Sequence, residues 1–233
     1  MSLLPFIKDD DFISEVKKVL EVDKNDSRKN KSIRNSIDPF SAIFDASIQS
    51  IPINLWFELE ARRQSQKTLQ NKLGLFHQNI LGHVRGWINL NTGKVVDLLN
   101  TKKKVIAEVK NKFNTTKGSD KVQIYDNIKF LLDTKYKGYV GYYVEVIPQN
   151  KKMYDSEFTP SDNKIKKRRP RNKNIRIIDG SSFYDLATGY NDSLFMLYMA
   201  IPEAITKILK IPVMNILGKN EMLELYKEVY QTK

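Results

Sequence analysis

The sequence predicts an α/β (α+β) fold, in which one mixed sheet of about four or five strands is flanked by helices. Apolar residues recur at helical spacing near the N-terminus and again over a long stretch from residue 54. Between residues 86 and 147 the pattern changes to short runs of β-branched and aromatic residues separated by polar turns. The apolar content of 41% is enough for one core, so the 233 residues are expected to form a single domain.

The first part of this domain, residues 1–53, is predicted to be helical. Residues 11–22 place apolar side chains on one side of a helix, and the polar tract KNDSRKNKSIRNS that follows is interpreted as a loop. Asp38 and Pro39 are typical of an N-cap followed by the first helical residue, so a second, short helix is expected to reach about Gln49.

The second part, residues 54–147, contains a long helix, a β-hairpin, another helix and a buried strand. Asn54 is expected to cap the long helix, which ends near Gly82. Past the hairpin, Ser119 is expected to cap an amphipathic helix that runs to about Thr134. The aromatic and β-branched run YVGYYVEVI then predicts a buried strand.

The hairpin consists of the runs VVDLLN and VIAEVKNKF on either side of a turn at TKKK. Side chains alternate between the two faces of a strand, so Glu108 and Lys110 share one face. A short turn sets Asp97 opposite residues 106–108. Two carboxylates and an ammonium group are therefore expected to lie close together.

The last two parts are a basic loop, residues 148–174, and a C-terminal segment, residues 175–233. Eight of the thirteen residues from Lys164 to Arg176 are basic. The run IRIID predicts a short strand, and the patterns after it predict helices, the last of which begins at Lys219.

Composition limits the classes of function. The 39 Lys and Arg residues exceed the 27 Asp and Glu residues and give a net charge of +12, which favours a polyanionic partner such as nucleic acid. A generally Lys-rich background composition is the alternative explanation. The absence of cysteine excludes disulfides, thiolate zinc sites and a cysteine nucleophile.

No apolar run approaches the roughly 18 residues that a membrane-spanning helix needs. The N-terminal sequence MSLLPFIKDDDF becomes acidic where a signal peptide requires its apolar run. We therefore expect a soluble cytoplasmic protein with no membrane partner.

Asp97, Glu108 and Lys110 suggest a metal-dependent hydrolytic site. Two carboxylates one strand pairing apart can share Mg²⁺, which prefers oxygen ligands and retains water for a substrate phosphate. A neighbouring ammonium group can orient the attacking water and stabilise the transition state of phosphodiester hydrolysis. The alternative is an exposed hairpin surface on which Glu108 pairs with Lys110 or Lys112 and contributes little stability.

The motif VVDLL…AEVKNK resembles the PD-(D/E)XK nuclease signature. The wider string FHQNILGHVRGW…VVDLLNTKKKVIAEVKNKFNTTKG, with SFYDLATG later, is similar to type II restriction endonucleases, especially a group that cuts GGNCC-like or GGWCC-like sites. The likeness covers about residues 54–200 and is most specific over 76–118. Val96 stands where the family has a proline before the Asp.

This resemblance implies a restriction-endonuclease-like core, dependence on Mg²⁺, and cleavage that leaves 5′-phosphate and 3′-hydroxyl ends. It implies Asp97 and Glu108 as metal ligands, with the backbone carbonyl of Val109 as a further donor. Lys110 is then the cation that orients water. Glu60, on the long helix, resembles an additional acidic residue that some of these nucleases bring toward the metal.

Restriction sites are usually palindromic, so a two-fold homodimer matches the symmetry of double-stranded DNA. In the basic run, Arg168, Arg169 and Arg171 are candidates for bidentate contacts with guanine, the alternative being a disordered loop that attracts phosphate only electrostatically. Further candidate contacts follow the second hairpin strand: Lys112, Asn114, Thr115, Thr116 and Lys117. His77 and His83 lack a third soft ligand, so a structural or DNA-backbone role is preferred to zinc.

Two other functions remain consistent with the residues. A repair or recombination nuclease with the same core would recognise DNA structure rather than sequence. A non-catalytic nucleic-acid-binding protein would use the acidic residues structurally. A companion DNA methyltransferase that protects the host is expected only if the protein is a restriction enzyme.

Overall fold

A computed structural model describes residues 2–21, 37–91 and 95–230 of the chain. The loop predicted for the polar tract at residues 24–36 lies outside the described residues. The helices of more than one turn are α1 (Asp9–Leu20), α2 (Pro39–Gln49), α3 (Ile53–His83), α4 (Gly118–Asp133), α5 (Gly180–Thr188), α6 (Ser193–Leu209), α7 (Val213–Leu217) and α8 (Lys219–Val229). The strands are β1 (Ile88–Asn89), β2 (Leu98–Asn100), β3 (Val105–Lys112), β4 (Val140–Ile147), β5 (Asp155–Glu157), β6 (Ser161–Asp162), β7 (Lys167–Arg168) and β8 (Ile175–Asp179).

The described residues form an α+β fold around a mixed six-stranded sheet in the order β1-β2-β3-β4-β8-β5. Strands β2 and β3 are antiparallel, whereas β3, β4 and β8 run parallel. The parallel step from β3 to β4 is made through α4, as a parallel connection requires. The mixed sheet flanked by helices confirms the predicted fold class.

The sheet differs from the prediction in the number of strands and in the basic segment. Strand β5 is the sixth strand and comes from the segment expected to be a loop, where it pairs antiparallel with β8. Strands β6 and β7 form a separate two-stranded sheet within the same segment. These strands are two or three residues long and mostly polar, so no alternating apolar pattern marks them in the sequence.

Helix starts were predicted with mixed success. At α2, Asp38 caps the helix through its side chain, which accepts a hydrogen bond from Phe40 N, and Pro39 is the first helical residue as expected. Helix α3 instead begins at Ile53, one residue before the expected cap. Helix α4 is preceded by Lys117, whose side chain makes no capping hydrogen bond, so Ser119 lies inside the helix.

The chain divides into two compact units, Met1–Val16 with Phe76–Lys233, and Lys17–Leu75. In the larger unit, α4 covers one face of the sheet and buries an apolar cluster that includes Ile106, Ile128 and Tyr143. A Cβ atom added at Gly141 would lie 2.2 Å from Ile128 Cγ2, so the absence of a side chain permits this close approach.

In the smaller unit, Trp56 packs against Ala42 and Ala46 of α2, and its indole nitrogen donates to Asp45 at 2.7 Å. Across the described ranges, no helix combines the length and apolar character needed to span a bilayer.

Candidate active site

The β2–β3 hairpin brings Asp97 beside Glu108. Leu98 pairs with Ala107, and one residue earlier Asp97 N donates to Ala107 O at 3.0 Å. The register therefore places Asp97 opposite the residues predicted from the length of the turn. Asp97 directly precedes the first residue of β2, and its backbone carbonyl accepts a hydrogen bond from Leu90 N at 2.8 Å.

Short polar contacts hold the three side chains. Asp97 Oδ2 accepts a hydrogen bond from Val109 N at 2.7 Å. Lys110 Nζ lies 2.7 Å from Glu108 Oε1, and the two side chains are 35% and 13% exposed. The Glu108–Lys110 contact is the pairing that the alternative predicted, but Glu108 is largely buried, so this part of the hairpin is not a fully exposed surface.

The electrostatics of the site disfavour two negative charges. Burial, followed by the charge of Asp97, raises the pKa of Glu108 to about 7 although Lys110 opposes the shift. Burial also raises the pKa of Asp97, against the hydrogen bond from Val109 N and the charge of Lys110. For Lys110, burial opposes the charged form, but Glu108 and Asp97 outweigh it and raise the pKa. A divalent cation would relieve the repulsion between the carboxylates.

The ligands available here suit Mg²⁺, which usually keeps several water ligands, better than a metal ion that is coordinated only by protein side chains. Among the described residues, no group of three or more His, Asp or Glu side chains could enclose an ion. Two carboxylates that leave several coordination positions to water and substrate oxygen are typical of Mg²⁺ sites. The residues present therefore fit the ion that the sequence predicted.

The backbone carbonyl of Val109 lies on the same side of β3 as the Asp97 carboxylate, because the N–H and C=O of one strand residue point the same way. Gln78 Nε2 approaches this carbonyl at 3.4 Å. No pattern in the sequence identifies Gln78, since a single amide on an amphipathic helix carries no distinctive signal.

Two further charged residues near the site were also missed. Glu145 of β4 is the strand partner of Lys110, and Lys121 of α4 lies 2.7 Å from it. The signal was present in the sequence, because Glu145 is a lone acidic residue within the otherwise uncharged run YVGYYVEVI.

The predicted DNA-contacting residues after β3 differ in accessibility. Asn114, Thr115 and Lys117 are exposed, and Lys112 is partly exposed. Thr116 differs, because its hydroxyl is buried next to the hydroxyl of Tyr143. The first four are therefore better placed than Thr116 to meet a DNA backbone.

The three candidate arginines of the basic segment are also not equivalent. Arg169 is engaged within the protein, at 2.7 Å and 2.8 Å from the two carboxylate oxygens of Asp126 and at 3.0 Å from Asp162. Arg168 is exposed on β7. The Arg171 side chain is 86% exposed and lies 3.6 Å from Glu157.

Glu60 belongs to the smaller unit, where its carboxylate accepts hydrogen bonds from Arg63 at 2.6 and 2.7 Å and from Gln64 at 2.6 Å. The hydrogen bond from Arg63, the largest influence, holds the pKa of Glu60 below its usual value. Its predicted approach to the metal stays a prediction.

The two histidines have protein partners. His77 Nδ1 lies 2.8 Å from the Tyr184 hydroxyl, and burial lowers the pKa of His77 to about 4. His83 Nε2 lies 3.2 Å from Glu15. These contacts favour the structural role for both residues.

Comparison with known proteins places the chain in a family. The family model described as Eco47II restriction endonuclease matches residues 4–210. The chain is 45% identical to the type II restriction enzyme Eco47II of Escherichia coli over 214 residues, covering 90% of this chain and 89% of that protein. It is 30% identical to the type II restriction enzyme Sau96I of Staphylococcus aureus over 238 residues, covering 98% and 88%. The chain therefore belongs to the Eco47II restriction endonuclease family and is a type II site-specific deoxyribonuclease.

Proposed function

We propose that the protein cuts both strands of a short palindromic DNA site of the GGNCC type in an Mg²⁺-dependent reaction that leaves 5′-phosphate ends. The observation that carries the proposal is the meeting of Asp97, Glu108 and Lys110 on one hairpin, in a chain of a restriction endonuclease family. The recognition type follows from the sequence likeness to enzymes that cut such sites.

Each residue has a proposed role. Asp97 and Glu108 would hold the metal ion, and the Val109 carbonyl would supply a third oxygen. When bound, Mg²⁺ lowers the pKa of a water ligand and offsets charge on the scissile phosphate. Lys110, held by one Glu108 oxygen, would orient the attacking water and stabilise the negative charge that develops on the phosphate.

The hydrogen bond from Val109 N supports the role of Asp97. It fixes one carboxylate oxygen, Oδ2, so Oδ1 would be the oxygen that binds the metal ion. Gln78 is proposed to restrain the Val109 carbonyl from the other side. Both metal-binding groups would then be oriented before the ion binds, as efficient catalysis requires.

The DNA-binding role is assigned to exposed polar groups on the same unit. We assign contacts with the backbone to Lys112, Asn114, Thr115 and Lys117, and a smaller contribution to Thr116. Base contacts are assigned to Arg168 and Arg171 ahead of Arg169, because Arg169 would have to leave two carboxylates to reach a base.

The assembly and cellular setting are further proposals. A homodimer would give each DNA strand one active site, in agreement with the symmetry of a palindrome. We place its action in the cytoplasm, where a companion DNA methyltransferase would protect the host sites without a stable complex. Sedimentation of the protein with and without a palindromic duplex would measure the number of chains.

Digestion of a plasmid of known sequence tests the proposal. With Mg²⁺ we expect discrete fragments whose sequenced ends share one site, and with EDTA we expect none. Random nicking, or cutting confined to branched DNA, would contradict the proposal. Retained binding without cleavage under all divalent ions tested would do the same.

A further inference from the structure

Lys121 and Glu145 form a largely buried ion pair on the α4 side of the sheet. Lys121 Nζ lies 2.7 Å from Glu145 Oε1, and the Tyr154 hydroxyl donates to the other carboxylate oxygen at 2.5 Å. The Glu145 side chain is 4% exposed and that of Lys121 is 25% exposed. The carboxylate is thus enclosed, while the ammonium group retains access to solvent.

This ion pair lies one strand away from the proposed catalytic residues. In the parallel β3–β4 ladder, Glu145 is paired with Lys110 and Tyr143 is paired with Glu108. Paired residues of adjacent strands point to the same face, about 4.8 Å apart between strands. Lys121 Nζ also lies 5.5 Å from the centre of the Tyr143 ring. The ammonium groups of Lys110 and Lys121 therefore belong to the same face, at the carboxyl ends of two neighbouring strands.

A buried ion pair of this kind is weak evidence of a stabilising role. The penalty for taking two charges out of water can exceed their attraction, and apolar residues of similar volume are often equally stable. An ammonium group has three N–H donors, and Glu145 accepts from one. The remaining donors can bind an anion that arrives from the solvent side. In a DNA-cleaving site that anion is a phosphate of the bound strand.

We propose that Lys121 binds a backbone phosphate next to the one that is cleaved, and that Glu145 and Tyr154 hold its ammonium group in position. This inference rests on the proposed function, since it requires a DNA strand to lie across Asp97, Glu108 and Lys110. It adds a phosphate-binding residue from α4 to those contributed by the hairpin and the loop after β3. Glu145 acts through Lys121 and is a positioning residue.

The test compares Lys121→Met with a matched control on the same helix. Lys129 is also paired with a carboxylate, Asp133, at 2.5 Å, but that pair is exposed. DNA containing the cleavage site is titrated with each protein in EDTA at 50–200 mM salt, and cleavage is measured separately with Mg²⁺. The logarithm of the affinity falls as the logarithm of the salt concentration rises. Each lost phosphate contact makes this slope less steep by about 0.9.

For Lys121→Met we expect the salt dependence of DNA binding to become less steep by this amount for each bound chain. The KM for cleavage should rise at least about tenfold, because a contact with a charged group is lost. Lys129→Met should match the wild type in both measurements. Lys121→Arg should restore the slope, because the positive charge is retained. The double variant Lys121→Met/Glu145→Gln leaves no buried unpaired charge and should repeat the result for Lys121→Met in a stably folded protein.

The outcomes separate the two levels of inference. A wild-type slope and KM in the folded double variant would overturn the role of Lys121 even though the wild-type enzyme cuts DNA. A wild-type protein that binds DNA but never cuts it would instead overturn the proposed function. If Lys129→Met lowers the slope as much as Lys121→Met, the contact is not specific to Lys121 and the inference fails.

Discussion

Replacing Glu108 with glutamine is expected to stabilise the metal-free protein while removing its ability to cut DNA. The pKa of Glu108 is raised from 4.5 to about 7, mainly by burial and then by the charge of Asp97. At about 1.4 kcal/mol per pH unit, this difference corresponds to about 3 kcal/mol by which the ionised carboxylate destabilises the folded chain. Glutamine has a similar shape and carries no charge.

The sign of the effect depends on pH. Between pH 4.5 and 7 the folded protein binds a proton at Glu108 that the unfolded chain has released, so stability falls as pH rises through this range. The loss of folding stability caused by ionised Glu108 reaches its full value above pH 7 and is absent below pH 4.5. Glu108→Gln should therefore exceed the wild type by about 3 kcal/mol at pH 8, and by about 1 kcal/mol at pH 5.5.

Urea unfolding in EDTA at pH 8 and pH 5.5 measures these differences, and plasmid digestion with Mg²⁺ measures activity. We expect cleavage to fall by at least about 10²-fold, because a proposed metal ligand is lost. Added Mg²⁺ should stabilise the wild type and leave Glu108→Gln unchanged. Glu228→Gln, a change at an exposed carboxylate, should show neither effect. Equal stabilities at pH 8 would refute the argument that burial and Asp97 disfavour the charged form.

Three further predictions concern other parts of the larger unit. Lys110→Ala should abolish cutting but retain site-specific DNA binding, measured by digestion and by anisotropy; normal cutting would remove Lys110 from the mechanism. The pKa of buried His77 is lowered to about 4, so as pH falls below 6.5 the unfolded chain takes up a proton that the folded chain does not bind. The folded wild type therefore becomes less stable in acid, and His77→Gln should not show this loss of stability. Between pH 7 and pH 5.5 the wild type should lose about 1 kcal/mol relative to His77→Gln in urea unfolding, whereas parallel curves would contradict a buried neutral ring. Gly141→Ala should destabilise by about 1–3 kcal/mol in urea unfolding, since the new Cβ would clash with Ile128. Gly118→Ala, which has open space around its Cα, is the control. Equal stabilities of the two variants would show that α4 shifts to accommodate the new Cβ and would contradict the prediction.

The sequence was sufficient to predict the hairpin and the side chains that it brings together. Alternation of Val105, Ala107 and Val109 with Ile106, Glu108 and Lys110 determines the faces of β3. The short turn determines its register with Asp97. Both signals are local, so no tertiary information was needed. The predicted pairing is confirmed by the hydrogen bond from Asp97 N to Ala107 O.

Other features depend on contacts between distant segments and could not be predicted in this way. Strand β5 is short and polar, and it is a strand only because β8 offers it an edge. The engagement of Arg169 by Asp126 joins residues 43 positions apart. Lys121 and Glu145 are 24 positions apart and meet because α4 packs onto β4. In each case the sequence shows the residue types, but it does not show which distant residue each of them contacts.

Strand β3 is hydrogen-bonded on both sides, to β2 and to β4, whereas the β6–β7 hairpin belongs to a separate two-stranded sheet. The backbone that bears Glu108 and Lys110 is therefore held from both sides, whereas the β6–β7 hairpin is joined to α4 through the contact of Arg169 with Asp126. A substitution at the exposed Arg168 of β7 is therefore expected to leave the strand pairing around Glu108 and Lys110 unchanged.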